Sequence, residues 1–277
     1  MYLILYNPIS RNGANTRVVE KLIKKMKKKN EKVKVKSLLD ITDHKAFISS
    51  LDPNVKVIIV GGDGTLNRIA NHVAGFDNLP ELYLYKAGTG NDFRRSIKRN
   101  GKMIRIDHYL KKLPLVEYNE KKQYFLNGVG LGFDGLVCQL VEESRAKKTK
   151  RNFFQSVFEA LRIYEKTDFE IEIDGVRQQY KDVWFASIMN SKYFGGGMKV
   201  APKANRNSDE LYAVIIHGIS KAKIALLFPL IYLGWHTKIK GVTIISGKEI
   251  KVSSQVSTFM QIDGDVVENL NEITIRK

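Results

Sequence analysis

The stretch Val57-Ile58-Ile59-Val60-Gly61-Gly62-Asp63-Gly64-Thr65-Leu66-Asn67 constrains this 277-residue chain more than any other. Its opening run of β-branched residues reads as a strand buried on both faces. The run breaks into Gly-Gly-Asp-Gly-Thr, and Leu66, Ile69, Ala70 and Val73 then follow at helical spacing. Strand, glycine turn and helix bring backbone N–H groups and a helix N-terminus up to a phosphate. Glycine permits φ > 0 and close approach by a ligand. A tight connection without a ligand would need only the glycines. The acid Asp63 and the hydroxyl of Thr65 beside them favour a nucleotide phosphate site.

The first hundred residues alternate strand and helix. Strands are expected at 2–6, 32–38, 55–60 and 82–85. An amphipathic helix is expected at 16–30, with apolar residues at 18, 19, 22, 23 and 26. A second helix opens at Ile41-Thr42-Asp43, with Thr42 or Asp43 as its N-cap. This alternation predicts a Rossmann-like α/β nucleotide-binding domain, a parallel sheet with helices on both faces. Polar turns at 7–13, 61–67 and 88–92 all follow strands, so they gather at the carboxyl edge of that sheet.

From about Arg105 the character changes to short β-like segments, at 113–118, 122–127, 168–174, 177–190, 210–217, 240–246, 248–252, 257–262 and 272–276. Asp174-Gly175 and Asp263-Gly264 read as type I′ hairpin turns. Helical stretches interrupt at about 134–165 and 220–233. The class is therefore α/β plus all-β: an α/β domain over 1–107 and an antiparallel β-sandwich over 108–277.

A net charge of +17 points to anionic partners: a nucleotide, an anionic membrane face or nucleic acid. No nucleic-acid recognition motif is present, which leaves that partner the weakest of the three. The basic run 145–151, next to Phe153 and Phe154, suits the surface of an anionic membrane or a solvated helix start. Cys138 is the single cysteine, so no internal disulfide forms and a reducing compartment is expected. The N-terminus reads as a strand and not a signal peptide, and the apolar run 224–235 is too short to cross a bilayer. A cytoplasmic protein touching the inner membrane face, alone or as a homodimer, is the expectation.

Hydroxyls and backbone N–H groups of Thr42, Gly61, Gly62, Asp63, Gly64, Thr65, Leu66, Asn67 and Thr89 make the expected nucleotide cradle. Asn7, Ser10 and Arg11 reach the same edge, Arg11 as a phosphate contact or a solvated cation. Asp63 and Asp92 are acids inside polar turns, suited to Mg²⁺ directly or through water; Asp92 reads equally as a helix N-cap. Phosphoryl transfer to an alcohol needs a group that orients and deprotonates the hydroxyl. Asp265 and Asp107 are both candidates, and sequence order does not choose between them. Gly195-Gly196-Gly197 beside Met198 suggests a flexible wall for an apolar ligand. The five histidines are scattered and read as structural or solvated.

Asn7-Pro8 with Gly13, Gly61-Gly62-Asp63-Gly64-Thr65-Leu66-Asn67, Gly88-Thr89-Gly90-Asn91-Asp92-Phe93, Gly195-Gly196-Gly197-Met198, Ala201-Pro202 and Asp263-Gly264-Asp265 occur in this order. In these motifs the chain resembles the bacterial diacylglycerol kinase catalytic-domain family, relatives of the sphingosine and ceramide kinases, over nearly its whole length. The resemblance implies two domains with the active site in the cleft, ATP as donor, Mg²⁺, and a lipid alcohol as acceptor, foremost diacylglycerol. It implies that Thr42, the 61–67 turn and Thr89 contact ATP, and that Asp63 and Asp107 belong to a catalytic water and Mg²⁺ network. It implies a second, structural Mg²⁺ on Asp209 and the main-chain carbonyls of Arg206 and Leu211. Asp265 falls where the family usually has a general-base glutamate.

Several positions depart from the family pattern. Asp265 is one methylene short, Arg68 stands where glutamate is common, and Glu210 replaces a glycine, which weakens the second metal site. The chain also ends soon after the Asp265 turn, where family members often continue. A soluble acceptor of the NAD kinase type and a catalytically weak nucleotide- or lipid-binding regulator therefore stay open as alternatives.

Overall fold

The computed structural model describes residues 1–10, 13–76, 78–88, 90–97, 101–144 and 150–277, the last without the side chains of 150 and 151. Arg11, Thr89 and most of the basic run (145–149, with the side chains of 150 and 151) thus lie outside the described residues. The chain divides into two compact units, Met1–Leu113 and Pro114–Lys277.

In the first unit β1 (Tyr2–Tyr6), α1 (Ala14–Lys27), β2 (Val33–Ser37), α2 (His44–Ser49), β3 (Lys56–Gly61), α3 (Asp63–Val73), β4 (Leu82–Lys86), α4 (Asp92–Ile97), β5 (Met103–Arg105) and α5 (Asp107–Leu110) follow one another. The sheet order is β2-β1-β3-β4-β5. β3 lies between β1 and β4, parallel to both, and Val57 to Val60 are wholly buried, as a continuous apolar run requires. α1 lays Val19, Leu22 and Met26 against Ile4, Ile58 and Val60. Its lysines Lys24, Lys25 and Lys27 collect in the last turn, where the helix dipole favours cations.

Two boundaries differ from the sequence expectation. α3 begins at Asp63, inside the glycine turn, and not at Leu66. Met103–Arg105, where the sequence reading marked no strand, pairs antiparallel with β4 and closes the first sheet. An antiparallel edge strand needs no crossover helix, and three residues carry no usable periodicity. The division at Leu113–Pro114, against the 107/108 expected, leaves α5 with the first unit, where Tyr109 packs edge-on to Phe93 at 5.8 Å.

The second unit contains β6 (Leu115–Tyr118), β7 (Lys121–Tyr124), β8 (Gly128–Gly132), α6 (Phe133–Glu143), α7 (Lys150–Ile163), β9 (Thr167–Ile173), β10 (Val176–Met189), β11 (Leu211–His217), α8 (Lys221–Leu233), β12 (Val242–Gly247), β13 (Glu249–Ile262) and β14 (Asp265–Arg276). Its strand pairs are all antiparallel. β10 and β13 each pair with β9 along their first half and with β8 along their second. The hydrogen-bonded ring β8-β10-β9-β13 therefore doubles over one core, filled by Phe169, Ile188, Ile250, Met260 and Ile273 among others.

The segments 248–252 and 257–262 are one strand, β13, with its ladder to β14 shifting register between Ser253 and Thr258. β8 was not expected, because Gly-Val-Gly-Leu-Gly has few side chains to show a period. Both Asp-Gly turns form: Asp174 and Gly175 have φ of 49° and 85°, and Asp263 and Gly264 of 50° and 97°, as type I′ requires. α6, α7 and α8 share a separate apolar cluster that includes Phe133, Val157, Trp184 and Leu227. Among the described residues no helix is long and apolar enough to cross a membrane.

Candidate active-site residues

β1, β3 and β4 run parallel, so the turns that leave them share one edge of the first sheet. The glycines there divide by role. A Cβ on Gly88 would fall 2.4 Å from the Gly62 Cα, so the two glycine turns touch backbone to backbone. A Cβ on Gly61 would fall 2.5 Å from that of Thr65. Gly64 is different: a Cβ there would meet nothing within 4 Å. It sits in the first turn of α3, whose N-cap, Gly62, supplies no side-chain bond to the free N–H groups. An open, uncapped first turn without a side chain fits an approaching phosphate.

Asp63 joins the two turns. Its Oδ2 accepts from the N–H of Asp92 at 2.9 Å and its Oδ1 from that of Phe93 at 3.0 Å. Asp63, and not Asp92, therefore caps α4; Asp92 accepts from Arg95 at 2.7 Å. Asn7 Oδ1 accepts from the N–H of Ile9 at 3.1 Å, and Ser10 Oγ lies 3.5 Å from Thr65 Oγ1, which brings the β1 and β3 turns together. Leu66 and Asn67 are buried, and Asn67 Oδ1 accepts from Asn71. Thr42 is exposed; Asp43 caps α2, accepting from Ala46 N at 2.9 Å. His44 and His72 stack at 4.6 Å and join α2 to α3. Asp107 is gripped by Arg105, whose Nε donates at 2.8 Å and whose other arm reaches Glu81.

In the second unit the Asp263-Gly264-Asp265 turn is anchored by its first residue. The Asp263 carboxylate accepts from the N–H groups of Leu126 at 2.5 Å, Asn127 at 2.8 Å and Gly128 at 3.2 Å. Asp265 is exposed at the start of β14, paired with Ile262. The loop 126–128 is held from its other side as well. The buried Arg206 donates to Leu126 O at 3.1 Å and Asn127 Oδ1 at 3.0 Å, and Asn190 Nδ2 donates to Leu126 O at 2.9 Å. Lys277 Nζ donates to Asn190 Oδ1 and, at 3.1 Å, to the Arg206 carbonyl. Burial, then the Arg206 charge, pushes the Lys277 ammonium down to about 8. Asp209 is exposed, and Leu211 is fully buried at the start of β11. Gly195, Gly196 and Gly197 all have left-handed φ and form a tight loop, with Met198 turned into the core.

Sequence reasoning missed Asp134. It follows β8, and its carboxyl covers Gly130 so closely that a Cβ there would lie 1.7 Å from Oδ2. Ser187 Oγ donates to it at 2.9 Å and its neighbour Gly135 N at 3.0 Å. Ser187 and Gln261 stand either side of Gly130 in register. The Gly-x-Gly-Phe-Asp spacing was the available signal, since only glycine leaves room for an acid across a strand. Burial pushes this carboxyl up to about 7, against the pull of the Ser187 bond. The neutral form is thus favoured in the fold, while the unfolded chain ionises near 3.8. Stability from this group is full below that value and falls as pH rises to about 7, by at most about 4 kcal/mol. Asp134→Asn should flatten that fall. Urea unfolding of both proteins between those pH limits measures it, and parallel curves would refute it.

The architecture is an α/β unit with an open glycine turn at a helix start, followed by an antiparallel β unit with an anchored acidic turn. The chain belongs to the diacylglycerol kinase catalytic-domain family: residues 1–114 match the diacylglycerol kinase catalytic domain and residues 127–274 the YegS C-terminal NAD kinase beta sandwich-like domain. Family membership implies ATP as phosphoryl donor. A Bacillus subtilis relative, YtlR, whose name commits only to a lipid kinase, is 26% identical over 293 residues, covering 96% of this chain and 93% of its own. A diacylglycerol kinase of Mycobacterium tuberculosis is 25% identical, covering 90% of this chain and 83% of its own. One of Staphylococcus aureus is 27% identical, covering 95% and 85%. A solved chain from Bacillus anthracis str. Sterne shares the fold with a TM-score of 0.72 at 18% identity, covering 99% of this chain and 91% of that one.

Proposed function

We propose that this kinase transfers the γ-phosphate of ATP to the hydroxyl of a lipid alcohol, with diacylglycerol as the foremost acceptor and phosphatidic acid as product. The observation that carries the donor half is the open, uncapped first turn of α3 at Gly64, pinned to the next glycine turn by Asp63. The acceptor half is supported by the names of the relatives.

In this reading the N–H groups of the 63–65 turn and the Thr65 hydroxyl hold phosphate oxygens, with Asn7, Thr42 and Thr89 completing the cradle. Asp265 takes the proton of the acceptor hydroxyl. That oxygen forms a bond to the γ-phosphorus as the bond to the β-γ bridging oxygen breaks, and ADP leaves. Mg²⁺ bound with the nucleotide would offset the phosphate charge, and Asp63 would hold it. Among the described residues no three His, Cys, Asp or Glu side chains form a metal cluster. Mg²⁺ binds readily through one or two carboxylates and substrate phosphates. Asp63 suits that role: each of its oxygens accepts one N–H and keeps a lone pair for a metal-bound water.

The second unit also carries surface suited to a bilayer. Phe158 on α7 is 67% exposed, Leu226 on α8 73% and Trp235 just beyond it 60%, while Ile224 and Leu227 of α8 share one buried cluster with Val157 of α7. Lys221, Lys223, Lys238 and Lys240 are exposed in and after the same helix. Aromatic and apolar tips beside lysines suit an anionic interface. The test is transfer of labelled phosphate from ATP to diacylglycerol, a sphingoid base, a polyprenol and NAD in parallel, with vesicle co-sedimentation. Labelled lipid and co-sedimentation that grows with anionic lipid are expected. Labelled NAD, or ATP binding with no labelled acceptor, would overturn the lipid reading.

A further inference from the structure

The Arg206 carbonyl and Asn190, from residues that both hold the 126–128 loop, are tied together by one side chain, Lys277, at the place where the family resemblance implies a divalent ion. Its Nζ donates to the Arg206 carbonyl at 3.1 Å and to Asn190 Oδ1. Mg²⁺ binds oxygen at about 2.0–2.1 Å and demands near-octahedral geometry. A carbonyl already facing an ammonium cannot take such an ion without forcing two positive centres together in a partly buried site. The guanidinium of Arg206 itself adds a further positive charge, buried against Leu126 O and Asn127 Oδ1. Leu211 contributes no charged side chain, Asp209 is the single carboxylate of the implied set, and Glu210 replaces the glycine the family favours.

We propose that Lys277 replaces the second divalent cation, so that residues 206, 209 and 211 hold no metal in this chain and the ammonium is the built-in counterpart. Lys277 is then a positioning residue. It holds Arg206 and Asn190, Asn190 holds Leu126 O, and the N–H groups of Leu126, Asn127 and Gly128 hold Asp263, two residues from Asp265. The role of Asp265 rests on the kinase reading above; the metal exchange does not, and its readout needs no turnover.

The test is Mn²⁺ binding by electron paramagnetic resonance on the full chain without nucleotide, with thermal melting alongside. The wild-type chain should take up no Mn²⁺ that Asp209→Asn removes, and its Tm should be the same in EDTA and in millimolar Mg²⁺. Lys277→Ala should melt lower by about 5 °C in EDTA. It should gain one Mn²⁺ site, abolished by adding Asp209→Asn, and recover part of the lost Tm with metal. One Mn²⁺ per wild-type chain, lost in Asp209→Asn, would overturn the proposal even if Lys277→Ala fails to fold. A Lys277→Ala chain that folds and neither loses Tm nor gains metal would overturn it too.

Discussion

Asp63→Asn is expected to lower kcat/KM for ATP by about 10²–10³-fold, because it removes a carboxylate that two glycine turns share. In the wild-type chain the two oxygens of Asp63 accept from consecutive N–H groups, those of Asp92 and Phe93. Asparagine keeps one acceptor and turns an NH₂ group toward the other donor. One N–H at the buried start of α4 is then unpaired, at a cost of about 1–3 kcal/mol. The turn responds as a unit, since Gly62 and Gly88 touch backbone to backbone: a Cβ on Gly88 would fall 2.4 Å from the Gly62 Cα, and one on Gly62 3.0 Å from the Gly88 Cα. The turn around Gly64, the proposed phosphate cradle, opens while the core of the sheet stays intact. Steady-state kinetics and melting on one preparation check this. A Tm lowered by a few degrees with a far larger kinetic loss is expected. Unchanged kinetics beside a lowered Tm would make Asp63 a helix cap and nothing more.

What the sequence showed and what it hid follow from one physical difference. β3 was legible because four β-branched residues at a sheet centre admit one reading, and the Asp-Gly turns because both of their residues must take positive φ. That the turns after β1, β3 and β4 share one edge, where Ser10 meets Thr65 and Gly62 meets Gly88, was legible from strand order alone, because parallel strands deliver their turns to one side. Contacts between segments distant in sequence were hidden. Nothing near Asp63 announces that it caps a helix some thirty residues on, and nothing near Lys277 announces Arg206. β8 was hidden because its glycines, which make room for the Asp134 carboxyl, also erase the alternation by which a strand is recognised. The residues hardest to read were thus polar ones whose partners lie far off in sequence.

Asp265→Asn is expected to lower kcat by about 10²–10⁴-fold with Tm unchanged, since the side chain is exposed and the loss is that of a proton acceptor. Asp265→Glu is the sharper variant. The main chain at 265 has little freedom: it pairs with Ile262, follows a type I′ turn, and is tied through Asp263 to three N–H groups. Reach toward an acceptor hydroxyl is therefore set by side-chain length and not by loop movement. Proton transfer falls steeply when donor and acceptor stand an ångström too far apart. If aspartate is short of the best geometry, glutamate should raise kcat above wild type while the KM for ATP, which the proposed reading assigns to the first unit, stays put. If the acceptor hydroxyl in this chain sits closer than in its relatives, glutamate should lower kcat and aspartate is the matched residue. Either result makes the carboxylate at 265 the base. Glutamate and asparagine variants indistinguishable from a wild type that binds ATP without turnover would instead mark the chain as a nucleotide- or lipid-binding regulator.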